Sequence, residues 1–93
     1  METKMYSRED LMKVLVNRLK EELTDVDTYN SLYESFKAHG MYEEAAEIEE
    51  IARDEFTHAE ALCDILKEHG HDLHADQEIA SLWHRAKSVF HLM

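Results

Sequence analysis

Three stretches of the chain carry an apolar seam with helical spacing, and two glycines separate them. The first seam runs Met12, Leu15, Leu19, Glu22, Val26, Tyr29, Tyr33 and Phe36, in alternating steps of three and four. Such steps hold one face of a helix towards a core. Residues 1–6 read as a loose lead-in. Ser7 then offers an N-cap, and Glu9 and Asp10 suit the positive end of the helix dipole. Lys37 and Gly40 stand where a helix of this length closes, the glycine in the place of a left-handed C-cap. The second seam runs Ala45, Ile48, Ala52, Glu55, Ala59, Leu62 and Leu66, with a neighbouring row of Ile51, His58 and Ile65, and ends at Gly70. Asp76 caps a third, shorter amphipathic stretch with Ile79, Leu82, Trp83, Ala86, Val89 or Phe90, and Met93 on its apolar side. The pattern predicts helices over about residues 7–39, 42–69 and 76–92. The link at Gly40 is so short that the first two helices should form an antiparallel hairpin. All of 1–93 thus reads as one all-α domain, a helical hairpin plus a short C-terminal helix. That last helix either folds back over the hairpin or docks on another subunit.

Composition narrows the class. Of 93 residues, 44% are apolar and 33% charged, with no proline and two glycines, which suits a folded helical protein rather than a disordered one. The net charge of −11 excludes a nucleic-acid partner, because phosphates need a basic surface. It is compatible with attracting cations and equally with a plain solvated acidic surface. Cys63 is the single cysteine, so no intrachain disulfide and no Cys-x-x-Cys knuckle can form. The start, Met1-Glu2-Thr3-Lys4, lacks a basic-then-apolar leader, and no apolar run reaches membrane-spanning length. The expectation is a cytoplasmic protein without a membrane partner.

The chemistry sits where the seams are interrupted. Glu22 is the one charged break in the first seam, and Glu55 with His58 the only polar members of the second pair of rows. Residues three apart on a helix share a face, so Glu55 and His58 project side by side. An ionised carboxylate buried without a partner costs several kcal/mol. Either an internal polar network or a metal ion must therefore compensate. Glu22 lies about 27 Å before Gly40 along its helix, and Glu55 about 22 Å after it, so a hairpin brings them to nearly the same level. Two carboxylates with one imidazole suit iron, manganese or zinc better than calcium or magnesium. Three such ligands on two helices are half of the set that a di-iron carboxylate bundle draws from four helices. A two-fold dimer would supply the whole set and cover the apolar face that a lone hairpin leaves open.

The segments Glu21-Glu22-Leu23-Thr24-Asp25-Val26-Asp27-Thr28-Tyr29 and Arg53-Asp54-Glu55-Phe56-Thr57-His58-Ala59 resemble the ferritin-like superfamily. The likeness covers roughly residues 15–68 and is nearest to short encapsulated ferritins and to two-helix halves of rubrerythrin-like proteins. It implies a di-iron ferroxidase serving iron storage and detoxification, completed between subunits, with two iron ions per dimer. Glu22, Glu55 and His58 would be the ligands, and Tyr29 would match the tyrosine that lies beside such centres. It also implies a homodimer or a higher even-numbered oligomer, with an encapsulin shell as a further partner. Manganese or zinc are the alternative metals. The absence of a Cys-x-x-Cys iron domain favours ferroxidase over peroxidase. A metal-free or zinc-binding helical oligomerisation module, with the three polar residues fixing dimer register, is the competing reading.

Lesser candidates surround these. Glu21, Asp25 and Asp54 are acids that could back the ligands or line an entry path. His69, His71 and His74 crowd the second linker beside Asp72 and read as exposed linker histidines. Tyr33 and Tyr42 read as plain aromatics, Cys63 as a small packing residue, and Trp83 as the anchor of the third helix.

Overall fold

The computed structural model describes residues 5–91, with side chains over 5–87. The expected packing roles of Val89, Phe90 and Met93, and the first four residues of the lead-in, lie outside the described side chains.

The first helix, α1 (Arg8–Ala38), begins at Ser7, whose hydroxyl accepts from the Asp10 amide at 3.1 Å. It ends at Gly40, where φ is +73°. The Gly40 amide donates to the Lys37 carbonyl and the Met41 amide to that of Phe36. These two bonds satisfy carbonyls that the helix end leaves orphaned. The second helix, α2 (Tyr42–Glu68), follows at once and closes in the same way at Gly70, φ +77°, with His71 bonded back to Leu66. Two glycine-terminated ends with almost nothing between the helices produce the antiparallel hairpin. A 3₁₀ turn, η1 (Leu73–Ala75), leads to α3 (Gln77–His91). Asp76 caps α3 by accepting from the Glu78 and Ile79 amides at 3.0 and 3.2 Å. Those amides, with Lys20, hold its carboxyl below the usual range.

No strand and no further long helix occurs among the described residues, so the fold is all-helical. Leu19, Leu23, Val26, Ala59, Cys63 and Leu66 form the centre of the core. The α2 line of Ala45, Ala52, Ala59 and Leu66 presses on α1, and three alanines in that line allow close approach. The short helix folds back over its own hairpin, burying Ile79, Leu82 and Ala86. Trp83 stacks on Phe56 with centroids 5.2 Å apart. Lys20 pairs with Asp76 and Glu78, and Arg85 lies 3.8 Å from Asp27, tying α3 to one flank of α1. Burial pushes the Cys63 thiol up and keeps it unreactive.

Two departures from the sequence pattern concern what is buried. Leu23 and Asn30 are buried although neither belongs to the first seam; Leu23, with Val16 beside it, shares its core with Ile79, Leu82 and Ala86 of the added helix. Leu73 belongs to the core as well, inside what reads as a polar linker.

The opposite flank of the hairpin stays open. The row of Ile51, His58 and Ile65, which the pattern groups with the inward seam, faces outward, with Ile51 and Ile65 each 40% exposed. Leu11 and Leu32 are similarly bare on α1. One partner helix and one short cover can bury only the first row. The chain exposes 6779 Å², about a fifth more than the roughly 5,600 Å² expected of a compact monomer of this mass. Its thinnest dimension is 17 Å, about the depth of two packed helices.

Candidate metal centre

The site lies midway along the open flank. The antiparallel hairpin brings Glu22 of α1 level with Glu55 and His58 of α2, and one ligand atom from each lies within 4.8 Å of the other two. They differ in depth. The Glu22 side chain is 7% exposed, Glu55 is half-buried, and the His58 side chain is 60% exposed. The sequence pattern treats all three as buried. Only Glu22 is, because the row that carries His58 has no covering helix.

The electrostatics are unbalanced. Glu22 Oε1 accepts from Arg18 Nη2 at 2.6 Å, while Arg18 also pairs with Glu21. Glu22 Oε2 is buried with no hydrogen-bond donor, and His58 Nδ1 stands 3.8 Å away. Glu55 answers by holding its proton. A shared hydrogen bond with Glu22, then burial, then the Glu22 charge push its carboxyl from 4.5 to about 7, against a smaller opposing pull from His58. Both observations agree if the proton on Glu55 is what Glu22 can bond to. A buried oxygen with no nitrogen donor, beside a carboxyl whose ionisation is pushed up to about 7, is a site short of positive charge. The residues fit a divalent cation: two oxygens and one nitrogen are the donor types that iron, manganese and zinc accept.

The remaining expected residues fall at different distances. Asp25 is near enough to raise Glu55 and to act on Arg18, and Glu21 holds Arg18, so both act on the site through charge. Asp54 is exposed and not part of the group. Tyr29 is half-buried on the same flank of α1, about 10 Å along the axis from Glu22. His69, His71 and His74 are not gathered into a ligand group among the described residues. Arg18 escapes a search for interrupted seams because it lies outside them. Its signal is a basic residue four before the acid, the spacing that pairs charges on a helix.

A family model described as Rubrerythrin matches residues 13–90, most of the chain. The chain belongs to the rubrerythrin family. That places it in the ferritin-like superfamily. No curated protein and no solved structure matches the chain. No helix among the described residues is long and apolar enough to cross a membrane.

The raised Glu55 carboxyl predicts a pH signature for metal-free protein. An acid whose folded value is raised contributes stability that is full below 4.5 and lost as pH rises through about 7. With chelator present, Glu55→Gln should melt with the wild type near pH 4.5 and several degrees above it at pH 8. Parallel melting curves across that range would show that Glu55 ionises freely in the fold.

Proposed function

We propose that two copies of this chain pack their open flanks together and complete a di-iron carboxylate centre that oxidises Fe(II). What carries the reading is the convergence of Glu22, Glu55 and His58 in the middle of an uncovered apolar flank. A second copy related by a two-fold axis brings another Glu22, Glu55 and His58 to the same place, giving four carboxylates and two imidazoles. The flank measures about 46 Å along α1 by two helix widths, roughly 900 Å², close to what one side of a stable interface buries.

Iron held there supplies one-electron chemistry: two Fe(II) become two Fe(III) while O₂ takes up two electrons and two protons to give H₂O₂. The chain's residues prepare this. Glu22 presents Oε2 inward with no nitrogen donor on it, so only the proton shared with Glu55 stands between it and a metal. Glu55 must release its proton first, so loading strengthens as pH rises towards about 7 and levels off above it. His58 would add a ring nitrogen to the carboxylate oxygens. The carboxylates concentrate negative charge against the higher positive charge of Fe(III), which favours the oxidised product. Tyr29, on the same flank about 10 Å along the helix from Glu22, is the residue this reading assigns beside the centre.

The thermal response of the protein tests this. Anaerobic Fe(II) at about a hundred times its Kd should stabilise the fold by about 2.7 kcal/mol, a rise in Tm of about 10 °C or more for a domain this small. Chelator should reverse it. A buried polar network serving only to set dimer register would respond to neither.

A further inference from the structure

The two oxygens of Glu22 are in different states. Oε2 stands 3.8 Å from His58 Nδ1 and is bonded to no nitrogen donor, whereas Oε1 is taken by Arg18 at 2.6 Å. Arg18 lies one turn back on α1 with its side chain 53% exposed, and its other terminal nitrogen holds Glu21, itself 61% exposed. A guanidinium stays charged at every accessible pH. A positive charge is therefore already seated on the most buried ligand, on a different oxygen from the one that faces His58. The grip is divided between two acids, and only one of them belongs to the site. Arg18 can yield Glu22 to an incoming cation and remain paired to Glu21 in water.

We propose that Arg18 is a resident counter-cation that competes with the incoming metal for Glu22. The inference rests on the metal reading above. Without metal, Arg18 offsets the charge of a carboxylate that would otherwise be buried unpaired, and so supports the fold. When a divalent ion arrives, the same guanidinium repels it and holds one of the two Glu22 oxygens. Loading is then an exchange of cations: Arg18 keeps Glu21, and the Glu22 carboxylate becomes free to hold the metal. Arg18 thus sets how much free metal is needed before the centre fills. It is a positioning residue, acting on the site through Glu22.

Removing the charge should separate two properties that a purely structural residue would move together. Isothermal titration with Mn(II) is the probe, on wild type, Arg18→Gln and Arg18→Lys, with metal-free melting recorded for each. Arg18→Gln should bind Mn(II) about tenfold tighter while its metal-free form melts lower, since a like charge near the ion is gone and Glu22 has lost its neutraliser. Arg18→Lys keeps the charge at the same spacing and should stay near wild type in both. Saturable binding in the wild type that is unchanged or weaker in Arg18→Gln would overturn the competition and leave the metal reading standing. No saturable Mn(II) binding by any of the three proteins would overturn the metal reading and this inference with it.

Discussion

Glu55→Ala is expected to keep its helices and lose iron chemistry, with Fe(II) affinity and oxidation rate both falling about a hundredfold or more. Even outer partners of metal ligands cost 10–100-fold when removed, and Glu55 is a ligand in this account. Its loss from each chain takes two of four carboxylates from the shared centre. Stability should move the other way. Glu55 sits against Glu22 and partly out of water, and its carboxyl is pushed up to about 7 for those reasons. Truncation removes that conflict, so metal-free Glu55→Ala should melt no lower than wild type at pH 8. Circular dichroism melts beside a stopped-flow oxidation assay check the pair of outcomes. A variant that oxidised iron at the wild-type rate would remove Glu55 from the site.

The second large effect comes from residues that ligate nothing. Ile51→Glu combined with Ile65→Glu places a charge on each side of His58, on the row left bare by the hairpin. In a two-fold interface every charge is doubled and faces a symmetry-related apolar patch, at a cost of several kcal/mol for each desolvated acid. The variant should sediment as a monomer, keep its helical spectrum, and lose iron oxidation even though Glu22, Glu55 and His58 are intact. Those positions are already 40% exposed in one chain, so the fold itself has little reason to suffer. A variant that remains dimeric and active would place the subunit contact on another face.

These outcomes depend on features of unequal visibility in the sequence. Helix ends were legible because capping is local: Ser7, Gly40, Gly70 and Asp76 each act within a few residues of themselves. The level pairing of Glu22 with Glu55 was legible too, since a tight link fixes the register of a hairpin and the rise per residue does the rest. Leu23 and Leu73 were not, because they share a core with a third helix whose placement no periodicity records. For the same reason the pattern could not tell an inward row from an outward one. Ala52 and Ile51 are both apolar neighbours, and only the direction of α1 decides that the first is buried and the second bare. His58 inherits that ambiguity. Arg18 was invisible for a different cause: its importance lies in which oxygen of Glu22 it takes, a matter of side-chain direction.

The central claim is a metal centre shared equally by two chains, and stoichiometry tests it most directly. Wild-type protein titrated anaerobically with Fe(II), then exposed to air, should saturate at about one iron per chain, two per dimer, with the near-ultraviolet absorbance of Fe(III)–oxo species rising quickly up to that ratio and slowly beyond it. Absence of any saturable step, with colour forming no faster than in buffer, would contradict it and leave a helical module whose buried acids hold two chains in register.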